Sequence, residues 1–153
     1  MGLNLTIFAD YYQFYIQDDD EKFGDLSDAW TPEAVDRLLA VAPHTVGIGT
    51  VRNVEVPVEV RVLDTQPEIV SQVFDRTNQC TIQIDTGRIV VAGCTDYFPE
   101  AVRIQCSPGL YRVLVGYKGL ATTSDNGLDG SDSYHVFLWP EGVQTGAPGS
   151  PAN

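Results

Sequence analysis

Basic residues are scarce: nine lysines and arginines stand against 21 carboxylates in 153 residues, a formal net charge of −12. A chain so short of positive charge has no footprint for nucleic acid or for an anionic membrane surface, so direct binding to either is not expected. Cysteine is limited to Cys80, Cys94 and Cys106, widely spaced and without a CxxC pair, which signals neither a disulfide framework nor a zinc site. Histidine occurs only at 44 and 135, and the sequence contains no HExxH, no GxSxG and no glycine-rich phosphate loop. No cofactor or metal is therefore expected. Residues 1–9 carry no base, and their apolar run meets Asp10 almost at once, unlike a signal peptide. No apolar run reaches membrane-spanning length. These features together predict a reduced, cytoplasmic setting.

What the chain does have is enough apolar residues, 43%, to bury one core without staples. Its charge is unevenly placed. Residues 10–36 hold nine carboxylates and one lysine, residues 37–118 hold eight of each sign, and residues 119–153 hold four carboxylates and no base. An electrostatically neutral middle is thus flanked by two acidic ends.

Period-two patterning dominates. Leu3–Gln17 reads as strand, with Tyr12, Phe14 and Ile16 on one parity and Tyr11, Gln13, Tyr15 and Gln17 on the other. Asp10 falls on the apolar parity, which predicts a bulge or bend near Ala9-Asp10. The acidic stretch Asp18–Asp28 has loop chemistry. Thr31-Pro32 is a helix start, with threonine as N-cap and proline in the first turn, and Val35, Leu38, Leu39 and Ala42 lie at helical spacing. One helix is expected over about 32–42, ended by Pro43.

Further strands are expected at Thr45–Val51, Glu55–Leu63, Gln79–Asp85, Arg88–Cys94, Val102–Cys106, Leu110–Tyr117 and Ser133–Trp139, with Ile69–Phe74 less clear. Pro57 suggests an edge or bulge, and Thr86-Gly87 a hairpin turn. Tyr111, just after Pro108-Gly109, is placed to cap a sandwich corner through its hydroxyl. The pattern predicts a mostly β, antiparallel β-sandwich of about eight or nine strands with one short helix. Residues 1–141 form the domain and 142–153 a disordered Gly/Pro-rich tail.

Two acidic loops with neighbouring aromatics make the candidate partner-binding surface: Tyr11, Gln13, Tyr15, Asp18, Asp19, Asp20, Glu21, Asp25 and Trp30, joined by Asp125, Asp129 and Asp132. Spaced carboxylates can imitate a phosphate row and steer a cationic protein, while aromatics anchor it; the bland alternative is a solvated loop. The run Ser124–Asp132 has calcium-loop composition, but counted from Asp125 its third position is Gly127 and its twelfth is Val136. That spacing fails the EF-hand pattern, and a cation would need ligands pooled from other loops. Cys94, His135 and Asp96 can be drawn as nucleophile, base and orienter only if the fold brings them together. For Arg52-Asn53, a turn is the ordinary assignment, with the arginine bonded to local carbonyls.

Tyr11-x-Gln13-Phe14, Trp30-Thr31-x-Glu33-Ala34-Val35 and Arg52-Asn53, in that order, resemble the bacterial DNA-entry nuclease inhibitor family (competence protein J-like). The likeness lies mainly over residues 5–60, with Pro108, Gly109 and Tyr111 similar to the family's C-terminal half. The resemblance implies a non-enzymatic protein that occludes a basic, metal-dependent nuclease; an immunity protein against a nuclease toxin fits equally. The DDDE insertion, the Asp125–Asp132 loop and the Gly/Pro tail depart from the family pattern. Two other readings stand beside it: a calcium- or carbohydrate-binding sandwich, and a hydrolase built on Cys94 or on a carboxylate pair.

Overall fold

A computed structural model describes residues 2–20, 22, 26–68, 73–126 and 129–141. The expected tail, Glu21, Asp25 and most of Ile69–Phe74 lie outside these residues.

Ten strands form two five-stranded sheets. The first sheet contains β1 (Gly2–Phe8), β5 (Glu55–Val62), β10 (Ser133–Pro140), β9 (Gly109–Lys118) and β6 (Arg76–Ile84), in the order β1-β5-β10-β9-β6. The second contains β3 (Leu39–Ala42), β4 (Thr45–Gly49), β2 (Gln13–Asp18), β7 (Arg88–Gly93) and β8 (Val102–Gln105), in the order β3-β4-β2-β7-β8. Neighbours run antiparallel except β5 and β10, which are parallel. The core lies between the inner faces, where Phe14, Ile16, Val46 and Ile48 of one sheet share a buried cluster with Val58, Val113, Val115 and Val136 of the other. The sandwich expected from the period-two pattern is therefore the observed fold.

Several local features differ from the sequence expectation. Leu3–Gln17 is not one strand: the bend at Ala9-Asp10 is a tight turn over Asp10–Tyr12 that carries the chain from the first sheet to the second. Likewise β6 and β7 are not a hairpin, because each pairs within a different sheet.

The helix, α1, spans only Pro32–Arg37. Its start is as expected, with Thr31 Oγ1 accepting from the Ala34 amide at 3.2 Å. Its end is not, because Leu38 turns left-handed (φ 64°) and Leu39–Ala42 pairs with β4 instead. Two turns of short helix cannot compete with a strand ladder that also buries Leu39 and Ala40.

Pro57 is not on an edge strand, since β5 lies between β1 and β10. The Ala9 amide donates to the Val54 carbonyl, and alternation from that bond makes Thr6↔Pro57 a non-hydrogen-bonded pair. The missing N–H thus faces β10, one residue before that ladder begins at Val58. Tyr111 is buried and donates to the Ser107 carbonyl at 2.6 Å, the corner cap expected of it. Burial raises its phenol to about 12.

Candidate functional site

The left-handed backbone region costs a side chain with a Cβ about 1–2 kcal/mol. Among the described residues only three non-glycine residues occupy it: Tyr11 (φ 60°), Tyr12 (φ 60°) and Leu38 (φ 64°). All three line one apolar groove of about 440 Å³, together with Gln13, Trp30 and Val35.

The surrounding structure over-determines two of the three strained residues, Tyr12 and Leu38. The Tyr12 amide donates to the Ala9 carbonyl at 3.0 Å and to Asn53 Oδ1 at 3.3 Å, and the Tyr12 carbonyl accepts from the Thr50 amide at 2.9 Å. The Leu38 carbonyl accepts from the Gly49 amide at 2.9 Å and from the Tyr117 hydroxyl at 2.6 Å. Tyr117 is buried, and burial drives its pKa upward, so it remains a hydroxyl donor.

The floor is set by two glycines of β4. A Cβ on Gly47 would lie 2.8 Å from the Trp30 ring, and one on Gly49 would lie 2.9 Å from Leu38 Cα. Trp30 lies over this floor, its indole donating to Gln13 Oε1 at 3.0 Å. The outer parts of the groove are open: Tyr11 is 69% exposed, and Tyr12 and Val35 are each 55% exposed.

Of the expected partner-binding residues, the fold brings Tyr11, Gln13 and Trp30 together here. Tyr15 follows on the same face of β2, half-buried between Gly47 and Ala92. Burial, then Cys94 and Asp96, raise its phenol.

The carboxylates are distributed differently. Asp18 lies at the far end of β2, five residue steps or roughly 17 Å from Gln13. It is fully buried. Its oxygens accept from the Asp85 amide (2.7 Å), the Thr86 amide (3.1 Å) and the Thr86 hydroxyl (2.7 Å), and His44 Nδ1 lies at 3.2 Å. Burial pushes the Asp18 pKa up, but these hydrogen bonds outweigh it and the net shift is downward. Asp18, His44 and Asp85 could group around a cation, yet both Asp18 oxygens already serve as acceptors for protein donors.

Asp19 is bonded by Arg103 (3.0 Å) and Arg88 (2.8 Å), and the Arg103 bond leads in holding its pKa down. Asp132 is fully buried, bonded to Arg52 Nε and accepting from the Tyr134 hydroxyl at 2.6 Å. Each of these three carboxylates is bonded by donors within the fold. Asp20 is partly exposed with Lys22 3.6 Å away, and Asp125 and Asp129 are exposed. Glu21 and Asp25 lie outside the described residues.

Sequence reasoning missed Tyr12, Val35 and Leu38 as surface groove residues, having assigned them to a core parity and a helical stripe. It also did not foresee that Arg52 bonds Asp132, 80 residues away.

The Cys94, His135 and Asp96 arrangement is not assembled. Asp96 accepts from the Gly93 amide at 2.9 Å, while His135, on the other sheet, faces Glu59 at 2.8 Å and Ser133 at 2.9 Å. Burial, Asp10 and Asp96 raise the Cys94 pKa, which disfavours the thiolate a nucleophile needs. Ser133, His135 and Glu59 do line up as hydroxyl, imidazole and carboxylate, but Phe74 covers this stretch. Its ring centroid is 5.4 Å from that of His135, and its atoms would lie 2.7 Å from a Cβ on neighbouring Gly116. The row is a polar ladder packed beneath an aromatic ring, and we assign it no catalytic role.

No family model and no curated protein matches the chain in sequence. Solved structures do match in shape. The crystal structure of ComJ from Bacillus subtilis, described as an inhibitor of the DNA-degrading activity of NucA, superposes with a TM-score of 0.66 over 92% of this chain and 95% of that one, at 16% identity. The fold resembles that of ComJ. A protein described as crocagin biosynthetic gene J superposes with a TM-score of 0.57 over 92% of this chain and 96% of its own, at 22% identity. The likeness to ComJ covers nearly the whole chain and is a likeness of fold. Among the described residues, no helix is long and apolar enough to cross a membrane.

Proposed function

We propose that the protein is a non-enzymatic inhibitor that binds a nuclease and blocks it through the Tyr11-Tyr12-Val35 groove. The observation that carries this is the coincidence of the three strained non-glycine residues in one open apolar groove. Strain kept in place by hydrogen bonds is characteristic of recognition sites, and exposed tyrosines are typical interface anchors. The ComJ-like fold supports the inhibitor role. Carboxylates flank the groove residues along the chain: Asp10 precedes Tyr11, Asp28 precedes Trp30 by two, and Glu33 and Asp36 bracket Val35. The partner surface would then offer an apolar side chain among basic residues, those that otherwise hold phosphate. Asp20, Asp125 and Asp129 add long-range steering.

The test is to immobilise the protein, pass over it a low-salt extract of the source organism, and release bound material with rising salt. The released fraction should degrade DNA, and adding back the free protein should suppress that activity. Release of no DNA-degrading activity would defeat the proposal.

Tyr12→Gly tests the groove directly. Relieving a left-handed tyrosine that is mostly solvent-exposed should raise stability by up to about 1 kcal/mol, while inhibition falls at least tenfold. Denaturant unfolding and a nuclease titration measure the two effects. Full inhibition by Tyr12→Gly would move the contact away from this groove.

A further inference from the structure

We propose that the free edge of β1 accepts an extended segment of another protein, added as an extra strand to the first sheet and carrying alternating apolar and basic side chains. β1 is the outer strand of that sheet, and among the described residues no strand lies beyond it. The bond from the Ala9 amide to Val54 fixes the alternation along the β1–β5 ladder. Leu3, Leu5 and Ile7 exchange bonds with β5, so the N–H and C=O groups of Asn4 and Thr6 point outward, while the Phe8 carbonyl lies against Gly93.

Exposed edges are usually blunted by charge, proline or shortness. β1 has seven residues, none charged and none proline. The other edges are managed. β3 and β8 have four residues each, and β6 is bridged to the 36–43 segment: the Gln83 amide donates to Pro43, and the Arg76 and Asn78 side chains donate to the Asp36 and Arg37 carbonyls.

The sandwich is also incompletely closed beside β1. Leu3 and Leu5 point inward yet remain half-buried. A cleft of about 270 Å³ adjoins them, lined by Leu5, Ile7, Val91 and Val102, with Asp96 and Glu100 also on its wall. A strand laid on β1 would place every second side chain over this cleft, while its backbone pairs with Asn4 and Thr6. The intervening side chains would face the opposite side of the sheet, where Glu55 and Glu59 of β5 lie across from Phe8 and Asn4 and favour basic residues, consistent with the chain's net charge of −12. This edge is distinct from the groove, and its use does not require the partner to be a nuclease.

The probe is a capped seven-residue peptide alternating valine and lysine, compared with a twin N-methylated at alternate amides so that it cannot form a ladder. With the folded full chain, the first peptide should shift the Asn4 and Thr6 amide resonances and slow their hydrogen exchange at least tenfold. The methylated twin should do neither. Thr6→Pro, which removes an outward N–H not used by β5, should abolish the effect while leaving the remaining spectrum in place. Equal binding by the twin, unaltered exchange at Asn4 and Thr6, or slowing that depends on protein concentration without peptide would each overturn the proposal, the last in favour of pairing between two copies of the chain.

Discussion

Asp132→Ala is expected to lower the unfolding free energy by about 3–5 kcal/mol, because it leaves the Arg52 guanidinium buried without its carboxylate. The Arg52 side chain is 10% exposed and that of Asp132 0%. The loss spreads beyond the pair: the Tyr134 hydroxyl, which donates to Asp132, also accepts from the Val51 amide at 2.9 Å. The segment between β4 and β5 is thereby fastened to the start of β10. Urea unfolding should show a lower midpoint with an unchanged slope. Replacing both partners with apolar residues, Arg52→Met with Asp132→Leu, should recover most of the loss, since neither charge then stays buried alone. A single-variant loss below about 1 kcal/mol would place the pair with ordinary solvated surface ion pairs.

Asp18→Asn is expected to cost about 3 kcal/mol near neutral pH, because three donors from Asp85 and Thr86 lose a charged acceptor at a buried corner. The acid limb of stability should change with it. Folding lowers the Asp18 pKa below its ordinary value of 3.8, so as pH falls the unfolded chain takes up this proton first. The contribution of Asp18 is therefore complete above the ordinary value and is lost as pH drops through the lower folded-state value. Asp19, held down chiefly by Arg103, acts with the same sign. Stability measured from pH 6 to pH 2 should fall less steeply in Asp18→Asn than in the parent chain. Parallel curves would show that this carboxylate titrates alike in the folded and unfolded states.

Residues 10–36 show where local pattern suffices and where it fails. The Thr31 cap is visible in sequence because capping is local, one side chain bonding an amide three residues on. The helix end is not visible, because Leu38 is stopped by contacts with Gly49 and Tyr117, 11 and 79 residues away along the chain. The acidic run behaves the same way. Asp18, Asp19 and Asp20 are chemically alike in sequence, yet one is buried, one is clamped by two arginines and one is partly exposed. The difference comes from Thr86, Arg88 and Arg103, which the sheets bring together from far along the chain.

By itself the sequence determined the β class, the inward parity of most strands and the Tyr111 corner, because a side-chain period of two and a turn of four residues are written in neighbouring positions. Only the tertiary structure decided which strands share a sheet, which carboxylates meet water and where three strained residues converge on one groove. Those outcomes depend on backbone pairing, which the residue pattern along a single strand does not encode.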